Sequence, residues 1–182
     1  MEYDFERTIT ESKRIFLGCS NLRGWASNDT VDILDNSRLD WLIDLSGVLS
    51  FWKEKAKNKM NNGELLLAYA TLGALVEGWL KLFYCLYIKD YSNDNRLQNE
   101  KSGTKIAPND LSFEMLKQFS RTVLWDIGDT KDLWVEKIQK RRNAIHAFNN
   151  RNIGTADEYI SDVEEYCKFT QDVWVQFPDL PF

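Results

Sequence analysis

The chain has 182 residues, 43% hydrophobic and 13% aromatic, with three prolines and nine glycines. That length supplies a core for a single domain, and the composition excludes a disordered chain and a turn-rich β-sandwich. A formal net charge of -5 argues against a protein that coats nucleic acid through a generally basic surface, while leaving local basic patches open.

The first segment, Glu2 to Leu17, carries Phe5, Ile9, Ile15 and Phe16 at loosely helical spacing, and Gly18 to Asn36 reads as a polar connection. Cys19 lies there. With Cys85 and Cys167 it makes an odd and widely spaced set, and no cationic, apolar leader opens the chain. A secreted disulfide framework is therefore not expected, and a reducing cytoplasm is.

At Ser37 a capping-box pattern, with Asp40 in place of the usual Glu, precedes Leu42, Leu45, Leu49 and Trp52 at helical spacing. The Lys53, Lys55, Lys57 and Lys59 run at its tail could meet a phosphate backbone, but reads first as a solvated helix end favoured by the dipole. Asn61-Asn62-Gly63 then breaks the pattern. The next helix, Glu64 to about Asp90, has apolar residues on every face and is expected at the centre of the fold. It is long enough to span a bilayer, yet Glu77 and Lys81 near its middle would each cost roughly 2.5 to 3.5 kcal/mol there, so a buried core helix is expected and no membrane.

Asn93 to Asn109 is polar and reads as an exposed loop, and Leu111, Met115 and Phe119 outline a short helix. Asp129 or Thr130 can cap the following helix, and Thr155-Ala156-Asp157-Glu158 is a capping box opening the last. Tyr159, Val163, Tyr166, Thr170, Val173 and Phe177 then alternate spacings of four and three, and Pro178 ends the helix. With no β-alternation or repeat, the expected architecture is all-α, an antiparallel bundle of four to six helices in one domain over 1–182. Residues 1–36 form its N-terminal helix and connection, and 37–177 its bundle.

One histidine, His146, is present, and CxxC, HxxxH and HExxH are missing, so no metal site is expected. GxxxxGK[ST], GxGxxG and GxSxG are missing as well, and no cofactor is expected. The densest functional cluster is the basic stretch Lys137 to Phe148. On an ideal helix Trp134, Ile138, Ile145 and Phe148 make one apolar stripe, which Arg141 interrupts. Arg142 and His146, four apart, fall on an adjacent face, where a guanidinium can hold a phosphate while an imidazole exchanges a proton. Asn143 stands three before His146. The bland alternative is that arginines near a helix C-terminus complement its dipole and a lone histidine is an edge residue.

The string Arg141-Arg142-Asn143-Ala144-Ile145-His146 resembles the R-x4-6-H motif of HEPN domains, in which an arginine followed by a polar residue precedes a histidine near the end of a late helix. The long apolar central helix and a final helix after the motif are similar too, over roughly Ser37 to Phe177. By spacing the match is Arg141 to His146. Family members commonly show Arg-Asn-x-x-x-His, so Arg142 here stands at the position usually held by Asn, Asp or His, and either arginine, or both, can be the functional one.

The resemblance implies metal-independent endoribonuclease activity of the toxin or antiviral type, or in other members nucleotide, RNA or protein binding without catalysis, including partners such as antitoxins. It also implies a homodimer. RNA cleavage without metal needs a base, an acid and cationic support for the phosphorane, and one histidine per chain makes a two-fold cleft the natural source of the second. In that arrangement His146 is the acid or base, Arg142 and Arg141 bind phosphate and Asn143 orients, with an interface that includes the motif helix.

Glu77 and Lys81 are the supporting charges. A carboxylate on a core helix needs a cation, and Arg141, misplaced on its own stripe, is the expected partner. Lys81, one turn along, is the alternative.

Overall fold

A computed structural model describes residues 4–94, 96, 103–146 and 148–182. Among these there are eight α-helices and no strand. Helix α1 (Phe5–Cys19) starts at Asp4, whose carboxylate accepts from the Arg7 amide at 3.2 Å. The connection expected over Gly18 to Asn36 contains a short helix, α2 (Asn28–Asp35), capped by Ser27 and fastened to the core where the Thr30 hydroxyl donates to the Cys85 carbonyl at 2.9 Å. Ser37 does not open the next helix. Its hydroxyl donates back to the Ile33 carbonyl at 2.8 Å, which ends α2, and α3 (Leu39–Asn58) begins after Arg38 with no side-chain cap.

Helix α4 (Asn62–Leu86) opens on a reciprocal cap, the Glu64 amide donating to Asn61 Oδ1 at 3.0 Å and the Asn61 amide to Glu64 Oε2 at 2.9 Å. The Asn-Asn-Gly break is thus the start signal itself. The helix stops at Leu86, short of the expected Asp90, and a separate turn, α5 (Ile88–Asn93), follows. Of the loop expected over Asn93 to Asn109, residues 95 and 97–102 lie outside the described set, while Asn93 closes α5 and a 3-10 turn, Pro108–Asp110, leads toward the next helix. Then come α6 (Phe113–Ser120), α7 (Thr130–Arg142) under the Asp129 cap, and α8 (Ala156–Trp174) under the Thr155–Glu158 capping box.

Helix α4 packs against α3, α7 and α8, α1 lies on α3 and α8, and α6 on α7. Ala68, Tyr69, Leu72, Leu75, Val76 and Leu80 of α4 are wholly buried. By length and composition α4 could cross a membrane, but 67% of its most apolar stretch is buried inside the bundle. Two polar ties fix neighbours to it: Trp79 donates to the Tyr166 hydroxyl at 3.0 Å, and Trp52 to Thr71 at 3.2 Å. Lys55 of α3 meets Glu64, while Leu42 lies against Gly78. The two helices therefore run antiparallel.

The candidate site at the end of helix α7

Helix α7 ends at Arg142, and a single 3-10 turn, Asn143–Ile145, carries the chain to His146. The continuous stripe from Trp134 to Phe148 is therefore broken. Trp134 and Ile138 are buried, but Ile145 is 43% exposed and Phe148 fully so, because beyond Arg142 the backbone no longer has the helical period that would turn them inward. Arg142 and His146 are likewise not neighbours on one helix face.

The two arginines part company here. Arg141 is buried, as its place on the stripe requires, but its partner is not Glu77. Its Nη1 donates to Asp162 Oδ2 at 2.7 Å and to the Tyr69 hydroxyl, and its Nη2 donates to Glu158 Oε1 at 2.7 Å. The guanidinium carbon also stands 4.9 Å from the Tyr69 ring centroid. Gly154, at φ +75°, closes the other side: a Cβ there would come within 2.6 Å of the guanidinium carbon, so only glycine fits both the backbone and the space.

Asp162, 1% exposed, is the hub. Besides Arg141 it accepts from the Tyr69 hydroxyl at 2.9 Å, from Trp134 Nε1 at 3.1 Å and from the Lys137 ammonium. Three helices meet on one carboxylate, each donor satisfied, which is the condition under which a buried charge is tolerated. Burial and the Asp162 charge push the Tyr69 phenol well above its ordinary range, so it stays a donor. The Arg141 hydrogen bond holds the Glu158 carboxyl below the usual carboxylate range.

Arg142, the next residue, faces the other way. Its Nη2 donates to Glu77 Oε2 at 3.2 Å and its Nη1 to Asn143 Oδ1 at 3.2 Å, with its side chain 37% exposed. Glu77 takes Lys81 on its other oxygen at 2.9 Å. The expectation that Glu77 would pair with Arg141 is thus corrected: it joins the outward arginine and Lys81 together. Gly73 makes the approach possible, since a Cβ there would fall 2.6 Å from both Cβ and Cγ of Arg142. His146 is exposed just beyond.

So Arg142, Asn143, Glu77 and Lys81 are brought together with His146 at their edge, and Arg141 is drawn into a separate buried network. Sequence reasoning missed Asp162, Glu158, Tyr69, Trp134 and Gly154 as that network's members. A signal existed for Asp162, which stands three after Tyr159 and four before Tyr166 on the inward stripe of α8, a misplaced charge of the same kind as Arg141.

Among the described residues no group of three His, Cys, Asp or Glu side chains gathers as a metal site. A groove of about 420 Å³ between α1 and α8, lined by Ser12, Trp79, Thr170 and Trp174 among others, does not touch the motif. Compared with family models, with curated proteins and with solved structures, the chain gives no match.

Proposed function

We propose that this chain is a HEPN-type, metal-independent endoribonuclease of the toxin or defence class, working as a homodimer in the cytoplasm. The single observation that carries the reading is a partly exposed Arg142, held in place by Glu77, four residues before an exposed His146 at the end of α7. Arg142 and Lys81 outweigh Glu77 in charge there, which favours a phosphate. In this reading His146 takes the 2′-hydroxyl proton or returns one to the leaving oxygen, while Arg142 stabilises the phosphorane. Arg141 shapes the helix end and does not touch RNA.

One observation favours a second reading, a non-catalytic module of the same type that binds nucleotide, RNA or a partner protein such as an antitoxin. The arginine that matches the motif by spacing is Arg141, and it is fully committed to Asp162 and Glu158. A cleavage assay on wild type beside His146→Ala in EDTA separates the two. The first reading expects cutting that survives chelation, leaves a 2′,3′-cyclic phosphate and disappears in the variant. No cutting, together with a rise in melting temperature on adding nucleotide, selects the second.

A further inference from the structure

From Lys137 to Ala156 the chain has five cations, Lys137, Lys140, Arg141, Arg142 and Arg151, and no acid, in a protein whose net charge is -5. Four of the five are already engaged: Lys137 and Arg141 meet Asp162, Lys140 meets Glu136 and Arg142 meets Glu77. Arg151 is exposed and, among the described residues, makes no ion pair. Three residues before it stands Phe148, 104% exposed. Other large rings that face solvent have company. Trp41 lies 4.2 Å from the Arg38 guanidinium, Phe51 lies 4.9 Å from the Trp52 ring, and Trp25 lines a cleft with Leu22, Leu86 and Pro178. The Phe148 ring, among the described residues, has neither a ring nor a cation against it.

This ring is nonetheless presented from a fixed base. Ala144 is buried before it in sequence, and after it Ile153 packs against the core and Gly154 lies on the Arg141 guanidinium. The Gly154 amide donates to Asn152 Oδ1 at 2.8 Å, which turns the chain toward α8. What Arg141 holds is therefore the root of the segment that carries Phe148 and Arg151. A segment pinned at both ends offers its side chains to a ligand at little further ordering cost.

Phe148 stands two residues beyond His146, so their Cα atoms are at most about 7 Å apart. A base on the nucleotide whose phosphate His146 attends, or on the next one, is then within reach of the phenyl ring. We propose that Phe148 is a stacking platform for an unpaired nucleobase beside the scissile phosphate, with Arg151 on a neighbouring phosphate. The place of that phosphate rests on the ribonuclease reading, whereas the platform itself needs only that the segment meets RNA. A phenyl ring has a π-face and no hydrogen-bond donor or acceptor, so it takes a base by its face and not by its edge. Bases inside a duplex have both faces covered by their neighbours and are refused, while a base in a loop or single strand can turn out onto the ring. Purines, with the larger face, are held better than pyrimidines.

The test uses His146→Ala protein, in which RNA is not consumed, and the fluorescence anisotropy of labelled oligoadenylate, oligouridylate and the duplex of the two. Oligoadenylate is expected to bind tighter than oligouridylate and far tighter than the duplex. Adding Phe148→Ala is expected to weaken oligoadenylate roughly tenfold with an unchanged melting temperature, since the ring is fully exposed, and Phe148→Trp to restore the affinity. Phe148→Leu separates stacking from plain apolar contact and is expected to bind like the alanine variant. Arg151→Ala is expected to weaken every strand alike and to lower the salt slope of binding by about one. Binding that ignores Phe148→Ala, or that Phe148→Leu retains in full, overturns the inference, as does the absence of binding to any strand. Phe148-dependent binding by a wild type that cuts nothing leaves the platform standing and removes the ribonuclease. Cutting that requires His146, with a KM untouched by Phe148→Ala, does the reverse.

Discussion

Arg141 and Arg142 are adjacent in sequence and opposite in circumstance. The first is enclosed by Asp162, Glu158, Tyr69 and the Gly154 backbone, with its donors spent inside the bundle. The second lies in a half-open position, held by one partly buried carboxylate that it shares with Lys81. Successive residues on a helix point about 100° apart, so one charge can serve the core and the next the surface. The difference teaches that a motif match by spacing does not identify the working residue. What each donor is already bound to does.

The sharpest way to break the comparison is at its buried hub. Asp162→Ala would leave Arg141 and Lys137 without their shared carboxylate and Trp134 without an acceptor, and the expected loss is about 3 to 5 kcal/mol of unfolding free energy, measured by urea denaturation. Asp162→Leu with Arg141→Met should restore much of it, because the cost comes from an unpaired charge more than from the missing pair. A loss below about 1 kcal/mol in the single variant would mean that the hub is hydrated and that Arg141 is free for other work.

Between the two sides stands Gly73, the contact that lets the end of α7 seat on α4. Gly73→Ala places a methyl where the Cβ and Cγ of Arg142 now lie. Those atoms sit close to a fixed backbone and cannot swing aside as a side-chain tip would, so the helices must part, at about 1 to 3 kcal/mol. An unchanged melting curve would show the α4–α7 contact to be looser than described.

On the open side the expected effects are smaller. Arg142→Ala should cost under about 1 kcal/mol, since Glu77 keeps Lys81 and the lost pair is partly solvated. If RNA is cut, the same variant should abolish cutting while its melting temperature stays near that of wild type. A large drop in stability with retained cutting would exchange the roles assigned to the two arginines.

Much of the fold was legible because its signals are local. The Thr155–Glu158 capping box, the Asp129 cap and the three-four spacing of α8 are written in adjacent residues, and α4 declares its burial by being apolar all round. Helix α2 escaped because eight residues with one buried leucine make little pattern, and Ser37 looked like a start because the helix it ends was not seen. At the site, the burial of Arg141 was legible, since a charge that interrupts an apolar stripe needs a reason. Its partner was not. Glu77 and Asp162 are both carboxylates on inward-facing helices, and only the three-dimensional placement of α8 against α7 decides which one reaches Arg141. The inward fate expected for Ile145 and Phe148 failed for another reason: extrapolating a helical period past Arg142 assumes a helix that has already ended.

The smallest effect separates the two acids on Arg141. Glu158 is half exposed, and its Oε2 also accepts from the Thr155 amide at 2.8 Å, so it is both cap and ion-pair partner. Arg141 holds its carboxyl below the ordinary value, which is about 4.3 in an unfolded chain. A group whose pKa falls on folding stabilises the fold fully above its unfolded value, and loses that contribution as pH drops through the folded one. Stability at pH 6 to 8 should therefore be flat with respect to Glu158 and decline only below about pH 4.3. Glu158→Gln should flatten that acid limb, with a change at neutral pH within about 1 kcal/mol because the Glu158 carboxylate is half in water and Arg141 keeps Asp162. The measurement is the urea midpoint of wild type and variant between pH 3 and pH 7. If Glu158→Gln destabilises the neutral protein as much as Asp162→Ala does, Glu158 is not a screened outer arm of the network, and Arg141 is held equally from both ends.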